Sequence, residues 1–210
     1  MSEKVDKNIS SVIFDLGGVL FDIDYALTQK AFISLGAPAN FNEIYSQQKQ
    51  AGFLDEFEKG NISVQEFRKQ MKQWLPGQVS DDDIDRAWNT MLIGVPHSKI
   101  HLLKVLGKKY RLFLLSNTNE IHLPEVIKMM AHLDDHKGIE HLFENYYYSC
   151  KMGMRKPDKE IFDKVCRDNS IVASETLFVD DSIQNIEGAK KAGLKVLHCT
   201  TLIDLAEYFN

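Results

Sequence analysis

Short apolar runs that do not alternate, each ending in a cluster of polar residues, constrain the fold of this chain more than anything else in it. They are Ser11-Val12-Ile13-Phe14, YRLFLL over Tyr110–Leu115 and TLFV over Thr176–Val179. Lys195-Val196-Leu197-His198 follows Gly193, and YYYS over Tyr146–Ser149 precedes the loop from Lys151 to Pro157. A strand with one wet face alternates in polarity; a run apolar throughout suits a strand covered on both faces. Helix-like stretches lie between the runs, at Pro96–Gly107, Pro157–Asp168 and Ile183–Ala192. This alternation predicts an α/β fold, a Rossmann-like parallel sheet with right-handed crossovers.

The stretch from Tyr25 to Ile93 breaks the pattern. Ala26–Leu35, Asn42–Gln50, Ser63–Leu75 and Asp81–Met91 have helical spacing of apolar residues, and no buried strand is expected there. Ser63 and Glu66 stand at capping-box spacing after a Gly60-Asn61 break. The expected organisation is an α/β core over 1–22 and 95–210, with an inserted helical unit over 23–94 lying across the sheet edge.

Composition excludes several classes. With 25 Lys+Arg against 30 Asp+Glu the net charge is -5, and no basic stripe supports binding to nucleic acid or an anionic membrane. No apolar run approaches the ~20 residues that span a bilayer, and Met1 to Ser10 is polar and mixed in charge. Cys150, Cys166 and Cys199 are odd in number and lack paired metal-ligand spacing, so they read as reduced thiols in a cytoplasmic chain. A monomer or homodimer is expected.

Four polar clusters could carry chemistry. Asp15 follows the first run, where open α/β sheets bind ligands, and Gly17-Gly18 lets the backbone approach closely. Ser116 and Asn117 follow the second run and could hydrogen-bond an anion without adding charge. Lys156, in Gly153-Met154-Arg155-Lys156-Pro157-Asp158, offers a fixed cation. Asp180-Asp181 follows the third run; adjacent carboxylates repel unless a cation offsets them, and hard oxygen ligands suit magnesium. Turn, capping and solvation chemistry can account for each cluster taken alone. Phe53, Phe57, Trp74 and Trp88 are aromatic candidates for a substrate wall, though at helical spacing they read mainly as core. The seven histidines show no ligand-like clustering.

In order, the clusters give carboxylate, hydroxyl-amide, cation and double carboxylate. This resembles the haloacid dehalogenase (HAD) superfamily, whose four motifs match Asp15, Ser116, Lys156 and Asp180-Asp181 from Val12 to about Leu197. The helical block resembles its small C1-type α-helical cap. FDLGGVLFDID, LLSNTN, GMRKPDKEIF and FVDDSIQNIEGAKKAG look closest to the branch of α-glucose-1-phosphate phosphatase and the N-terminal phosphatase domain of epoxide hydrolase. The resemblance implies a magnesium-dependent phosphatase acting on a small phosphorylated metabolite, a sugar phosphate, through an aspartyl-phosphate on Asp15. It assigns Mg2+ to Asp15, the Gly17 carbonyl and Asp181, and phosphate oxygens to Ser116, the Asn117 backbone and Lys156. Lys156 also stabilises Asp15. Asp180 orients Lys156 or a water, and Asn185 hydrogen-bonds Lys156 or Ser182.

One position departs from that pattern. Superfamily phosphatases usually carry a second Asp, the general acid, where this chain has Gly17. General acid–base help is worth about 10²–10⁴ in rate, so the expected preference is for good leaving groups such as anomeric sugar phosphates or acyl phosphates. Asp22 and Asp24 could replace the proton donor, although linker and helix-capping roles suit them better. Two rivals stand beside the phosphatase. A haloacid dehalogenase, which also lacks the second Asp, displaces halide at carbon without magnesium, so the Asp180-Asp181 pair favours phosphate chemistry; a non-catalytic phosphometabolite-binding member fits the loss at Gly17 but has no use for a nucleophile at Asp15.

Overall fold

The computed structural model describes residues 6–41, 52–199, 205, 208 and 209. The chain runs through β1 (Ser11–Phe14), β2 (Asp22–Ile23), α1 (Tyr25–Ser34), α2 (Gly52–Glu58), α3 (Val64–Lys72), α4 (Asp81–Asn89) and β3 (Leu92–Gly94). It continues with α5 (His97–Leu106), β4 (Arg111–Ser116), α6 (His122–Met130), α7 (Leu133–His136), β5 (Asn145–Tyr148) and α8 (Ser149–Met152). The last elements are α9 (Lys159–Asp168), β6 (Thr176–Asp180), α10 (Ile183–Lys191) and β7 (Lys195–His198).

Five strands form one parallel sheet in the order β5-β4-β1-β6-β7, as the unalternating runs predict. Every residue of β1 and β6 is buried. The pleat still divides them by period two. Val12, Phe14, Leu112, Leu114, Leu177 and Val179 enter one core with Ile100 and Leu103 of α5 and Leu123 and Val126 of α6. Ile13, Phe113, Leu115 and Phe178 enter a second with Ile161 and Phe162 of α9 and Ile186 of α10.

The strand order places the site. From β1 the chain builds outward through β4 and β5, then returns to the other side of β1 for β6 and β7. A topological switch point therefore lies beside the carboxyl end of β1, where sheets of this kind bind ligands. Phe14 is in register with Leu114 on one side and Val179 on the other. One residue further along, Asp15, Leu115 and Asp180 share a level at the sheet edge.

Helices α1 to α4 build a core of their own around Phe32, Phe57, Phe67, Ile84 and Trp88. Phe57 stacks on Phe67 with centroids 4.3 Å apart, and Phe67 packs against Trp88 at 4.9 Å. Ser63 caps α3 by accepting from the Glu66 amide at 3.2 Å, while the Glu66 carboxylate turns to Gln70 at 2.8 Å. The Asn42–Gln50 helix lies outside the described residues. Among the described residues no buried strand interrupts the helices, but an antiparallel pair, β2 with β3, frames the insertion. At two and three residues these strands are too short to show a period, and they are only partly buried. Ile23 and Leu92 on them pack against both the helical core and the sheet core. Among the described residues no helix is long and apolar enough to cross a membrane.

Candidate active site

The carboxyl end of β1 delivers Asp15, which is 7% exposed, and its backbone amide donates to the Val179 carbonyl of β6 at 2.9 Å. The loop before α9 brings Lys156, 1% exposed, to the same point. The Lys156 ammonium donates to Asp15 Oδ1 at 2.6 Å, to Asp180 Oδ2 at 2.7 Å and to the Leu115 carbonyl at 3.0 Å. Those three bonds use its three hydrogens. Burial pushes the ammonium toward neutrality, but Asp15 and Asp180 outweigh it and hold its pKa above the ordinary lysine value.

Asp180 is saturated. Its oxygens also accept from the Ser182 amide at 2.8 Å and from Asn185 Nδ2 at 3.1 Å. Asn185 thus bonds Asp180, and through it steadies Lys156; it does not bond Lys156 or Ser182 directly as expected. Asn117 clamps the lysine from the other side: its Oδ1 accepts from the Lys156 amide and its Nδ2 donates to the Lys156 carbonyl, both at 2.9 Å. That amide–backbone clasp was not foreseen from sequence, since the two residues are 39 positions apart.

Oxygens of Asp15, Asp180 and Asp181 lie within 4.8 Å of one another. Burial pushes the Asp15 carboxyl up to about 8; Lys156 opposes that shift, while Asp180 and Asp181 add to it. One ammonium does not offset three acids at one point, and a hard divalent cation would supply the charge that ionises Asp15. The turn at Gly17-Gly18 is shaped around these oxygens. Gly18 has φ +81°, and a Cβ there would stand 2.2 Å from Asp181 Oδ2. The donor set therefore fits magnesium. A Cβ on Gly17 would meet Ile23 Cδ1 at 3.1 Å, so an apolar side chain from β2 crowds the position where the resemblance leads one to expect the acid.

Asp15 and Lys156 line a cavity of about 110 Å³, with Gly17, Ser116, Asn117, Asp181 and Asn185 on the sheet side. From the helical insertion and its frame come Ile23, Tyr25, Glu58, Met91 and Leu92. The four aromatic candidates are not among the lining residues. Phe57 and Trp88 are buried in the helical core, Phe53 packs against it, and Trp74 is 41% exposed. Asp22 and Asp24 do not line the cavity either: Asp22 accepts from Lys99 Nζ at 2.6 Å, and Asp24 caps α1 through the Ala26 amide at 2.8 Å. Burial and the carboxylates of Glu58, Asp181 and Asp15 push the Tyr25 phenol far above its ordinary pKa, so it remains a neutral hydrogen-bond donor.

His122 is one functional neighbour that sequence reading passed over. It lines the cavity, stacks on Trp88 with centroids 5.1 Å apart, and its Nε2 lies 3.0 Å from the Trp88 carbonyl. A carbonyl only accepts, so Nε2 carries the proton, and Nδ1 accepts from Asn119 Nδ2 at 3.1 Å. Asn119 is oriented by the Ile121 and His122 amides, which donate to its Oδ1. Burial lowers the His122 pKa to about 4 and keeps the ring neutral.

An acid, a hydroxyl-amide pair and paired acids at the carboxyl ends of β1, β4 and β6, with a lysine from the loop before α9, match the haloacid dehalogenase class of hydrolases. The chain belongs to that family: the haloacid dehalogenase-like hydrolase model matches residues 9–193. It is 34% identical over 192 residues to a D-ribitol-5-phosphate phosphatase of Bacteroides thetaiotaomicron, covering 89% of this chain and 90% of that one. It is 28% identical to a sesquiterpene phosphatase of Aspergillus oryzae, over 90% and 89% of the two chains. Among solved structures, a HAD family enzyme of Bacteroides thetaiotaomicron in complex with magnesium and inorganic phosphate superposes with a TM-score of 0.83 at 36% identity, covering 90% of this chain and 93% of that one.

Proposed function

We propose that this chain is a magnesium-dependent phosphatase of small phosphorylated sugars and sugar alcohols, acting through an aspartyl-phosphate on Asp15. The observation that carries this reading is the buried Lys156 ammonium, shared between Asp15 and Asp180 at the switch point of the sheet. A lysine with no hydrogen to spare fixes the Asp15 carboxylate in position and steadies its charge. Asp15 Oδ attacks phosphorus in line, the bond to the leaving oxygen breaks, and water then attacks phosphorus to free the carboxylate. The Ser116 hydroxyl and the Asn117 backbone N–H hold phosphate oxygens. Asp15, the Gly17 carbonyl oxygen and Asp181 would hold magnesium, whose charge offsets the meeting of two anions. Asp180, saturated by protein donors, positions Lys156.

The helical unit over 23–94 acts as a cap that closes the cavity and sets specificity. The higher identity to the bacterial relative favours a leaving group like that in its name over a terpenoid one. Cys150, Cys166 and Cys199 form no disulfide with one another, which suits a cytoplasmic enzyme, as a monomer or homodimer. A panel of phosphate esters assayed with magnesium and again with chelator tests the proposal. Chelator-sensitive phosphate release supports it; halide release from a haloacid, indifferent to chelator, contradicts it. Because Gly17 supplies no acid, anomeric phosphates should turn over faster than primary ones. Equal rates would mean that another group donates the proton.

A further inference from the structure

The phosphate-holding pair is followed in sequence by a side chain with no part in the chemistry above. Thr118 lines the cavity and is only 7% exposed. Its Oγ1 hydroxyl makes no hydrogen bond to any described residue, and it is not sealed from solvent as the unpaired Ser11 hydroxyl is. In a residue so nearly enclosed, that opening is onto the cavity. A hydroxyl held there with nothing to bond on the protein side is satisfied by whatever fills the cavity.

Thr118 is also unable to turn away in search of a partner. Its amide donates to Ser149 Oγ at 2.9 Å, and its carbonyl lies 2.9 Å from the same oxygen. Asn117 before it clasps the Lys156 backbone, and Asn119 after it accepts from Trp88 Nε1 at 3.3 Å. A β-branched side chain is stiff at χ1 as well. The hydroxyl is therefore presented at a fixed point.

The same bonds show where that point lies. Ser149 is fully buried, and its hydroxyl is 2.7 Å from the carbonyl of Glu58 at the end of α2. Trp88 belongs to the core of the helical unit. Both contacts that flank Thr118 thus reach the helical unit, and Arg155 pairs with Glu58 across the same boundary at 2.9 Å. In-line displacement puts the leaving oxygen on the far side of phosphorus from Asp15, away from the sheet edge and toward the helical unit. A hydroxyl at this boundary meets the leaving group, whereas Ser116 and Asn117, nearer the sheet, meet the phosphate.

We propose that Thr118 is a specificity-determining residue, whose hydroxyl exchanges a hydrogen bond with a hydroxyl of the leaving group and so favours polyhydroxylated esters over plain alkyl ones. This rests on the phosphatase reading above and deepens it. The test uses three probes with magnesium present: a five-carbon polyol phosphate, pentyl phosphate, and inorganic phosphate as inhibitor. The two esters share a primary leaving oxygen and a chain length, and differ in the further hydroxyls. In Thr118→Val, which keeps the branched shape, the polyol-to-pentyl ratio of kcat/KM should fall about tenfold, mainly through KM for the polyol. The inhibition constant of phosphate should not follow, and Thr118→Ser should restore the ratio.

A ratio within twofold of wild type would overturn the assignment, whether all three probes weaken together, which places the hydroxyl on the phosphate, or none does. Should Thr118→Val fail to fold, the wild type carries the comparison, and a preference for the polyol over pentyl phosphate below twofold would overturn the proposal. A wild type that releases phosphate from no ester in the presence of magnesium would instead overturn the phosphatase reading itself.

Discussion

Lys156 has three hydrogens and three acceptors, two of them carboxylates, and almost no exposure to water. Removing it as Lys156→Met would leave Asp15, Asp180 and Asp181 facing one another with no protein cation. Breaking a buried pair in this way costs about 3–5 kcal/mol, so chemical denaturation without magnesium should show a loss of that size, together with loss of turnover. Gly18→Ala tests the turn: a Cβ at 2.2 Å from Asp181 Oδ2, on a backbone with φ +81°, should displace that carboxylate. Magnesium titration should show weaker binding and lower activity, whereas an unchanged affinity would remove Asp181 from the cation site. The residues that meet here were legible in the sequence because each ends a buried strand or opens a helix. Their contacts were less legible. That Asn117 clasps the lysine backbone, and that Asn185 serves Asp180, depends on side-chain directions across 39 and five positions, which no local pattern encodes.

Among elements, the central strands β1, β4 and β6 were readable because burial on both faces selects unalternating apolar runs, and β1 and the edge strand β7 begin and end where the runs do. Helices α2 and α6 were not. GFLDEFE is only seven residues long, and α6 opens on Asn119 and His122, whose polar side chains are buried and satisfied by each other rather than exposed. That junction gives a pH prediction. His122 binds a proton at about 4 in the folded chain against 6.5 when free, so the unfolded state takes up protons first as pH falls. Stability is full above pH 6.5 and is lost as the pH drops toward 4, by at most about 3 kcal/mol. Urea midpoints across that range should show the loss, and His122→Leu should flatten it even if the midpoint at pH 7 falls. A wild-type profile that matches His122→Leu would mean the ring is not held neutral between Trp88 and Asn119.

For the whole molecule, the α/β core and the helical insertion meet at the cavity through Arg155, Ser149 and the short β2–β3 frame. Excess carboxylate at the centre makes the fold itself responsive to a divalent ion. Magnesium at a hundredfold excess over its Kd should stabilise the chain by about 2.7 kcal/mol, and a thermal shift that chelator reverses would register this. The proposed chemistry is covalent, with phosphorus passing to Asp15. Quenching the reacting enzyme and reducing it with borohydride converts an aspartyl-phosphate to homoserine, which peptide mass spectrometry locates. The expected result is homoserine at position 15, formed only when substrate and magnesium are both present and absent from Asp15→Asn, which should also lose turnover. Turnover that survives in Asp15→Asn, with no residue reduced in the wild type, would contradict it.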